Sequence, residues 1–244
     1  MALVLITGAS AGLGRASVTG LVDQGHDVVL HARSAERIGD DTILSRAHDV
    51  LYGDLSSLSA TVQVAERANE IGVFDAVIHN AGVLRGPEVL AVNTIAPFVL
   101  TALMAPRRSV YLSSSMHFSG STDLGVADVF DVRGRRRPYE DSKLYITTLA
   151  MAAAARCPDM LSHAVDPGWV PTRMGGVGAP DSIAEGHLTQ TWLATACEAE
   201  IVPRTGGYWY HRATRSPHRA SRDAHFQSDL VRALERSTGF VLPS

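Results

Sequence analysis

The chain contains almost no lysine and little cysteine. Its 244 residues include 22 lysines and arginines, and Lys143 is the single lysine among them. The two cysteines, Cys157 and Cys197, have neither the CxxC nor the metal-ligand spacing, so we expect no disulfide framework and no metal site. Because unpaired cysteines are typical of a reducing compartment, we expect a cytoplasmic protein.

Long hydrophobic runs and a strong charge bias are also missing. The first apolar run covers residues 2–6, which is too short for a membrane span or for the core of a signal peptide. The net charge is -3 and the pI about 6.3, so we expect neither nucleic acid as a partner nor a membrane span. Two basic runs, 133–137 and 211–222, are typical of a solvated surface.

Short apolar runs alternate with helical patterns along the chain, and this order predicts a mostly parallel sheet with helices on both faces. The strands are expected at residues 2–8, 26–33, 48–55, 74–83, 107–115, 160–168 and 206–211. The helices are expected at residues 12–24, 56–72, 88–105, 139–156, 181–200 and 225–239. We therefore predict an α/β, single-domain, doubly wound fold over residues 1–244 with a seven-stranded sheet. Substrate-side loops are expected at 118–137 and 168–180, and a C-terminal tail at 211–244.

A glycine-rich stretch, TGASAGLG at residues 7–14, lies where the first strand turns into the first helix. Gly8, Gly12 and Gly14 allow the backbone to turn tightly and to approach a pyrophosphate, whose charge is stabilised at a helix N-terminus. Glycines also serve ordinary tight turns, but the strand before and the helix after are the context that a nucleotide site requires. The stretch predicts a dinucleotide-binding loop.

The end of the second strand indicates which dinucleotide is bound. An acidic residue there would bind the ribose hydroxyls of NAD, whereas this sequence reads HARSAER, with Arg33 at that position. Arg33 and Arg15 could together hold a 2′-phosphate, since a guanidinium binds phosphate through paired hydrogen bonds. We predict NADP(H) as the preferred cofactor. Glu36 nearby leaves NAD(H) open, and Arg33 could instead be a surface residue.

Seven motifs follow one another along the chain: TGASAGLG (7–14), GDLSS (53–57), HNAGV (79–83), VNTIAPF (92–98), VYLSSS (110–115), YEDSK (139–143) and DPGWVPT (166–172). Together they resemble the short-chain dehydrogenase/reductase family, and the resemblance covers nearly the whole chain. His79 stands where that family more often has asparagine. The resemblance implies a Rossmann fold and an NAD(P)-dependent oxidoreductase acting on alcohol or carbonyl groups.

The resemblance and the two arginines also assign roles to residues. The cofactor-binding set is Gly8, Ser10, Gly12, Leu13, Gly14, Arg15, Arg33, Asp54, Leu55, Asn80, Ala81, Gly82, Tyr139, Lys143, Pro167, Gly168, Val170 and Thr172. The catalytic set is Asn93, Ser114, Tyr139 and Lys143. Aligned on VYLSS, the second serine occupies the catalytic position, which selects Ser114. By the resemblance, Asn93 would hold a water that links Lys143 to solvent; alternatively it bonds its own helix backbone.

The spacing of Tyr139 and Lys143 gives the single lysine a role. Residues at i and i+4 share one face of a helix, so the two side chains are neighbours. A free phenol titrates near pH 10, and we expect the fixed ammonium, with the positive nicotinamide, to lower that pKa. The resemblance implies that Lys143 also bonds the nicotinamide ribose, where a planar guanidinium would not fit. Tyr139 would donate a proton and Ser114 a hydrogen bond to a carbonyl oxygen as hydride reaches its carbon.

The segment between Ser114 and Tyr139 is longer than in many family members, and it resembles the insertion of the retinol-dehydrogenase-like and protochlorophyllide-reductase-like branch. Residues expected at the substrate are Ser114, Met116, His117, Tyr139, Trp169 and Met174. The apolar ones favour a lipophilic or aromatic substrate, or they cover the sheet edge. We expect NADPH-dependent reduction of a ketone or aldehyde. Two alternative functions stay open: alcohol oxidation by the same step in reverse, and a non-catalytic NADP(H)-sensing module. The sequence also leaves open whether the protein is a monomer or a homo-oligomer.

Overall fold

A computed structural model describes residues 1–38, 42–124 and 132–243 of the chain. Within these ranges one sheet contains the strands β1 (Leu3–Ile6), β2 (Asp27–Ala32), β3 (Asp49–Tyr52), β4 (Ala76–His79), β5 (Arg108–Leu112), β6 (Leu161–Val165), β7 (Gly207–Tyr210) and β8 (Ala213–Arg215). The α-helices are α1 (Gly12–Asp23), α2 (Leu58–Ile71), α3 (Ala96–Met104), α4 (Pro138–Arg156), α5 (Ile183–Gly186), α6 (Leu188–Thr195) and α7 (Ala224–Thr238). The expected insertion 118–137 includes residues 125–131, which lie outside the described residues.

The sheet order is β3-β2-β1-β4-β5-β6-β7-β8, and every neighbouring pair is parallel except β7 with β8. The chain reverses its direction of progress across the sheet between β1 and β4. In open α/β sheets, ligands bind at the carboxyl ends of the strands beside such a reversal. The predicted doubly wound α/β fold is confirmed, and its topology directs attention to the edge where β1, β4, β5 and β6 end.

Among the described residues the sheet has eight strands instead of the predicted seven. After β7 the chain turns at His211 and Arg212, whose φ angles are 50° and 58°, and returns as the antiparallel strand β8. Part of the segment predicted as a tail therefore belongs to the sheet. All three residues of β8 are exposed, so an apolar run could not have marked this strand in the sequence.

Two predicted helices are interrupted in the structure. Residues 181–200 form α5, α6 and a 3₁₀ turn at Glu198–Glu200, and the break between α5 and α6 follows Gly186, a poor helix former. The segment 88–105 contains a π-helical turn at Ala91–Ile95 before α3 begins. Pro97 has no backbone N–H to bond the Asn93 carbonyl, which disfavours a regular α-helix at this point.

The two faces of the sheet bury separate apolar clusters. On one face α4 lies between the sheet and α7, so Leu144 and Leu149 pack with Leu230 and Leu234. On the other face Val18 and Leu21 of α1 pack with Leu193 of α6 and Trp209 of β7. Successive residues of β5, Val110 and Tyr111, enter opposite clusters, as the pleat of a strand requires. The loops that follow β1, β4, β5 and β6 therefore lie together at the carboxyl edge of a sheet that is packed on both faces.

Candidate active site

The glycine-rich loop connects β1 to α1 and is held by a neighbouring strand. Gly8 has a φ of 64°, in the left-handed region that favours glycine. The amide of Asn80, just after β4, donates to the carbonyls of Thr7 and Gly8 at 2.9 and 3.1 Å. A Cβ on Gly14 would lie 2.5 Å from Asn80 Nδ2 and 2.6 Å from the Gly8 oxygen, so only glycine fits there. The backbone is thus open for the close approach of a phosphate at the start of α1.

A second residue holds this loop, and the sequence did not single it out. The imidazole of His31, on β2, accepts a hydrogen bond from the Gly8 N–H at 3.3 Å through Nδ1. Its Nε2 donates to the Gly53 carbonyl at 3.0 Å, which ties the glycine-rich loop to the segment after β3. Burial lowers the pKa of His31 to about 4, so the ring is neutral and this pairing is maintained near neutral pH.

Arginines and an acid lie at the ends of β2 and β3, where the adenosine half of a dinucleotide is expected. Arg33 follows β2, and Arg15 is in the first turn of α1; both are exposed. Asp54 accepts a hydrogen bond from the Ser56 N–H at 2.9 Å, which lowers the pKa of this carboxyl, with a smaller contribution from Arg33. The structure therefore places Arg33 beside Asp54.

Tyr139 and Lys143 occupy the first turns of α4 and point to the carboxyl end of β5. Lys143 is buried, its Nζ donates to the Leu112 carbonyl at 2.7 Å, and the ammonium lies 5.5 Å from the centre of the Tyr139 ring. Burial lowers the pKa of Lys143 to about 8, an effect that Asp166 partly offsets. The predicted pairing of Tyr139 with Lys143 is therefore present.

The protein's own groups do not lower the Tyr139 pKa, contrary to the part of our expectation that concerned the Lys143 ammonium. Burial raises this pKa to about 12, and a hydrogen bond with Ser114 opposes the rise without cancelling it. Burial makes the largest contribution, and the negative charges of Asp166 and Glu140 raise the pKa further. The phenol therefore keeps its proton at neutral pH, which is the form that a proton donor needs.

The three consecutive serines have three different surroundings. Ser113 is buried and its hydroxyl bonds that of Thr147 on α4, whereas Ser115 is exposed at the start of a 3₁₀ turn, Ser115–Ser119. Ser114 caps this turn: its Oγ accepts from the Met116 N–H at 3.2 Å. Of the three serines, Ser114 alone acts on the pKa of Tyr139, which its side chain lowers. This geometry supports the selection of Ser114 from the motif.

Asn93 lies in the π-helical turn and fastens three segments together. Its Nδ2 donates to the Val83 carbonyl at 2.9 Å and to Ser142 Oγ at 3.0 Å, and its Oδ1 accepts from the Val83 N–H at 2.8 Å. Asn93 therefore bonds the segment after β4 and helix α4, not its own helix backbone. A Cβ on Gly82 would lie 3.4 Å from Asn93 Oδ1 and 3.9 Å from Lys143 Nζ, so these residues surround one small space.

The loop after β6 covers this space from the other side. Thr172 packs on Gly12 of the glycine-rich loop, and Val170 is buried beneath it. Met174 reaches the centre of the site, since its Sδ lies 3.9 Å from the Tyr139 hydroxyl. The indole of Trp169 donates to the Gly175 carbonyl at 2.8 Å and remains 59% exposed. The loop thus places apolar side chains at the mouth of the site.

The placement of His117 differs from our expectation of a substrate contact. The side chain is buried, Nδ1 donates to the Ser114 carbonyl at 2.7 Å, and Nε2 accepts from the His218 N–H at 2.9 Å. Both ring nitrogens are therefore used within the protein. The imidazole lies behind Ser114, whereas Met116, which was also expected at the substrate, is 42% exposed.

Asp166 is a buried residue at the site to which the sequence motifs assigned no role. It precedes Pro167, and its two carboxylate oxygens accept from the Gly168 N–H at 3.0 Å and the Tyr208 hydroxyl at 3.1 Å. The negative charge raises the pKa of Lys143 against the effect of burial, which favours the ammonium form. The sequence contained the residue within DPGWVPT, but the partner on β7 was visible only in the fold.

The described ends of the insertion are attached to α4 next to the site. Arg135 donates to the Tyr145 hydroxyl at 2.8 Å and to the carbonyls of Asp123 and Leu124, both at 3.0 Å. Asp141 accepts from the Ser121 N–H at 2.8 Å. Both ends of the insertion therefore meet at the start of the helix that carries Tyr139.

Comparison with known proteins decides the family. Residues 2–107 match the family described as short chain dehydrogenase. The chain is 36% identical to short-chain dehydrogenase chry4 of Gibberella zeae over 100% of both proteins. It is 31% identical to DnrU of Streptomyces sp. (strain C5), assigned as a daunorubicin C-13 ketoreductase, over 97% of this chain and 92% of that protein. The chain belongs to the short-chain dehydrogenase/reductase family.

Membership in the short-chain dehydrogenase/reductase family confirms that the protein is an NAD(P)-dependent oxidoreductase acting on small molecules. Its fold is similar to that of an NADPH-bound carbonyl reductase from chicken fatty liver, with a TM-score of 0.71, 20% identity, and coverage of 89% of this chain and 99% of that one. No helix among the described residues is long and apolar enough to cross a membrane. The same residues contain no group of histidine, cysteine or acidic side chains that could hold a metal ion.

Proposed function

We propose that the protein reduces the carbonyl group of a lipophilic or aromatic ketone or aldehyde with NADPH. The observation that carries this proposal is the meeting of Tyr139, Lys143 and Ser114 at the carboxyl end of β5, with Tyr139 held in its protonated form. A protonated phenol suits reduction, because the product alcohol takes its proton from the enzyme. Alcohol oxidation would need the deprotonated phenol, which burial disfavours.

The residues around the site fit a dinucleotide. The N-terminus of α1 and the close backbone approach at Gly14 suit a pyrophosphate, and Asn80 fixes that backbone. Arg15 and Arg33 suit a 2′-phosphate, while Asp54 and Leu55 lie where the adenine is expected. Asn80 through Gly82, Pro167, Gly168 and Thr172 would border the nicotinamide half. When bound, NADPH supplies the hydride; the protein supplies binding, orientation and the proton.

The mechanism assigns one task to each polar group. The Tyr139 hydroxyl gives its proton to the substrate oxygen, and Ser114 Oγ donates a hydrogen bond to the same oxygen as charge develops there. The Lys143 ammonium stabilises the phenolate that Tyr139 becomes. Asn93 joins the segment after β4 to α4 and so fixes the space in which these groups meet. The proposed water link from Lys143 to solvent would run beside this asparagine.

Apolar side chains around the mouth support a lipophilic or aromatic substrate. The two loops that border Tyr139 carry four large apolar side chains that are between 39% and 59% exposed: Met116, Phe118, Trp169 and Met174. Exposed apolar groups gathered at a catalytic cleft are typical of a binding surface for an apolar ligand. The relative DnrU is named as a daunorubicin C-13 ketoreductase, and thioether and indole side chains both make favourable contacts with aromatic rings.

The proposal is tested by following NADPH consumption with a panel of ketones and aldehydes of increasing apolar area. We expect consumption with aromatic and lipophilic carbonyl compounds, and formation of the corresponding alcohol. Consumption limited to small hydrophilic carbonyl compounds would contradict the substrate class. Tight NADPH binding without turnover of any carbonyl compound or alcohol would instead support a non-catalytic sensing module.

Alkaline pH is expected to slow carbonyl reduction through Lys143. The pKa of Lys143 is lowered to about 8 and that of Tyr139 is raised to about 12, so the lysine loses its proton first as the pH rises. Without the ammonium, the phenolate formed at Tyr139 loses its stabilising charge. The rate at saturating NADPH and substrate should therefore fall as pH passes about 8. A rate that stays constant to about pH 10 would contradict this assignment.

Replacing Arg33 with aspartate should shift the cofactor preference toward NADH. The change removes one guanidinium from the proposed 2′-phosphate site and adds a charge that repels phosphate. Hydrogen bonds to charged groups contribute about 1.5–3 kcal/mol, so the ratio of NADH to NADPH dissociation constants should fall by about 10- to 100-fold.

Arg37→Asp is the matched control, because Arg37 is exposed in the 3₁₀ turn Ala35–Arg37 and undergoes the same charge change. We expect the cofactor preference of this variant to stay near that of the wild type. An equal shift in both variants would mean that overall charge, rather than contact with Arg33, sets the preference.

A further inference from the structure

The segment behind Ser114 is joined to the C-terminal part of the chain through one side chain. His117 donates from Nδ1 to the Ser114 carbonyl at 2.7 Å and accepts at Nε2 from the His218 N–H at 2.9 Å, across 101 positions of sequence. One partner is a carbonyl and the other an N–H, so the ring must be the neutral tautomer with its hydrogen on Nδ1. The imidazole therefore acts as a donor to Ser114 and as an acceptor from His218.

The hydrogen bonds to the Ser114 carbonyl help to set the position of the Ser114 hydroxyl. The carbonyl accepts two hydrogen bonds from His117, one from the backbone N–H at 3.0 Å and one from the ring. Ser114 Oγ in turn accepts from the Met116 N–H, two residues further along the same turn. The bonds from His117 fix the peptide plane after Ser114, and the same turn places the Met116 N–H that holds the Oγ.

Two further elements fix the His117 ring. It contacts the Tyr208 ring on β7, with 4.7 Å between ring centres, and the Phe118 ring at 4.1 Å. The Tyr208 hydroxyl is bonded to Asp166. On the other side, the turn at Arg219–Arg222 that follows His218 is bonded to α4, since Thr148 Oγ1 donates to Ser221 Oγ at 3.1 Å. The imidazole is thus packed between the sheet and the C-terminal turn.

We propose that His117 is a positioning residue for the reaction, which holds Ser114 in its productive orientation by joining it to the C-terminal segment at His218. The proposal rests on the proposed function, in which Ser114 stabilises the substrate oxygen. It gives the residues after β8 a role in catalysis through the bond between His218 and His117. His117 itself touches neither substrate nor cofactor.

The two hydrogen bonds can be separated by substitution. In His117→Asn the amide nitrogen takes the place of Nδ1 and can still donate to the Ser114 carbonyl, but nothing reaches the His218 N–H. In His117→Gln the amide oxygen takes the place of Nε2 and can still accept from His218, but the donor to Ser114 is lost. Both variants keep a polar side chain of similar size, so they are compared with each other as well as with the wild type.

We expect His117→Gln to lower kcat by about 10-fold or more at saturating NADPH, because a small misplacement of a catalytic group carries a cost of this order. Its KM for NADPH should be unchanged. His117→Asn should retain most of the wild-type kcat. His163→Gln is the matched control: His163 is also buried and bonded through both nitrogens, to Arg204, Gly207 and Trp209, and its loss should lower the melting temperature without lowering kcat.

Hydrogen exchange gives a second readout that does not depend on turnover. Residues 113–119 should exchange faster in His117→Gln, and residues 216–222 faster in His117→Asn. Equal kcat in the wild type and His117→Gln, or equal losses in both variants with the same change in exchange, would overturn the proposal. Absence of turnover in the wild type would contradict the proposed function instead, and exchange would still decide whether His117 joins the two segments.

Discussion

Tyr139→Phe is expected to lower the turnover of carbonyl substrates by about 10²–10⁴-fold, the usual contribution of general acid catalysis. The substitution removes a single oxygen atom and leaves the ring beside Lys143 in place. NADPH should therefore bind with nearly unchanged affinity. Turnover of one carbonyl substrate and the dissociation constant of NADPH are measured on the same preparation. Loss of catalysis is thereby separated from loss of cofactor binding.

Tyr111→Phe is the control for this experiment. Tyr111 is buried in β5, and its hydroxyl bonds Thr101 at 2.7 Å, away from the site. Loss of this buried hydrogen bond should cost stability of about 1 kcal/mol and leave turnover at the wild-type level. If Tyr139→Phe retained turnover within a few-fold of the wild type, Tyr139 would not be the proton donor.

Lys143→Arg is expected to lower turnover by about 10²-fold or more although the charge is conserved. Lys143 is buried, and its Nζ reaches the Leu112 carbonyl at 2.7 Å within a space bordered by Gly82 and Asn93. A planar guanidinium is larger and cannot aim compact donors at both this carbonyl and a ribose hydroxyl. Because Lys143 is proposed to contact the cofactor as well, NADPH affinity should also fall, unlike in Tyr139→Phe.

Arg67→Lys is the reverse exchange at an exposed position of α2 and should leave turnover and NADPH affinity unchanged. Folding of both variants is compared by thermal unfolding. Wild-type turnover in Lys143→Arg would mean that charge alone matters at this position. The retention of one lysine in a chain that otherwise uses arginine would then have no catalytic basis.

Much of the fold follows from local patterns that the sequence displays directly. The buried parallel strands are short apolar runs, and α7, expected over residues 225–239, is closed by Gly239 in the left-handed conformation. The exposed strand β8 has no such pattern. Its position follows from a turn at His211 and Arg212 and from pairing with β7, and these features depend on backbone geometry.

The site divides in the same way. Tyr139, Lys143 and Ser114 are adjacent in space because each lies at a fixed place relative to a predicted strand or helix. His117 could not be placed correctly from its motif, since its burial depends on Tyr208 and on His218, which are far away in sequence. The tie that His31 makes between Gly8 and Gly53 likewise requires the packing of three strands. Local spacing predicts which groups react, and distant packing determines how they are held.

The direct test of the central claim is a calorimetric titration of the purified, folded wild-type protein with NADPH and, separately, with NADH. The account predicts binding of both, with a clearly lower dissociation constant for NADPH. Equal constants would leave the family and the fold in place but contradict the role given to Arg15 and Arg33. Binding of neither dinucleotide by folded protein would contradict the proposed NADPH-dependent reduction itself.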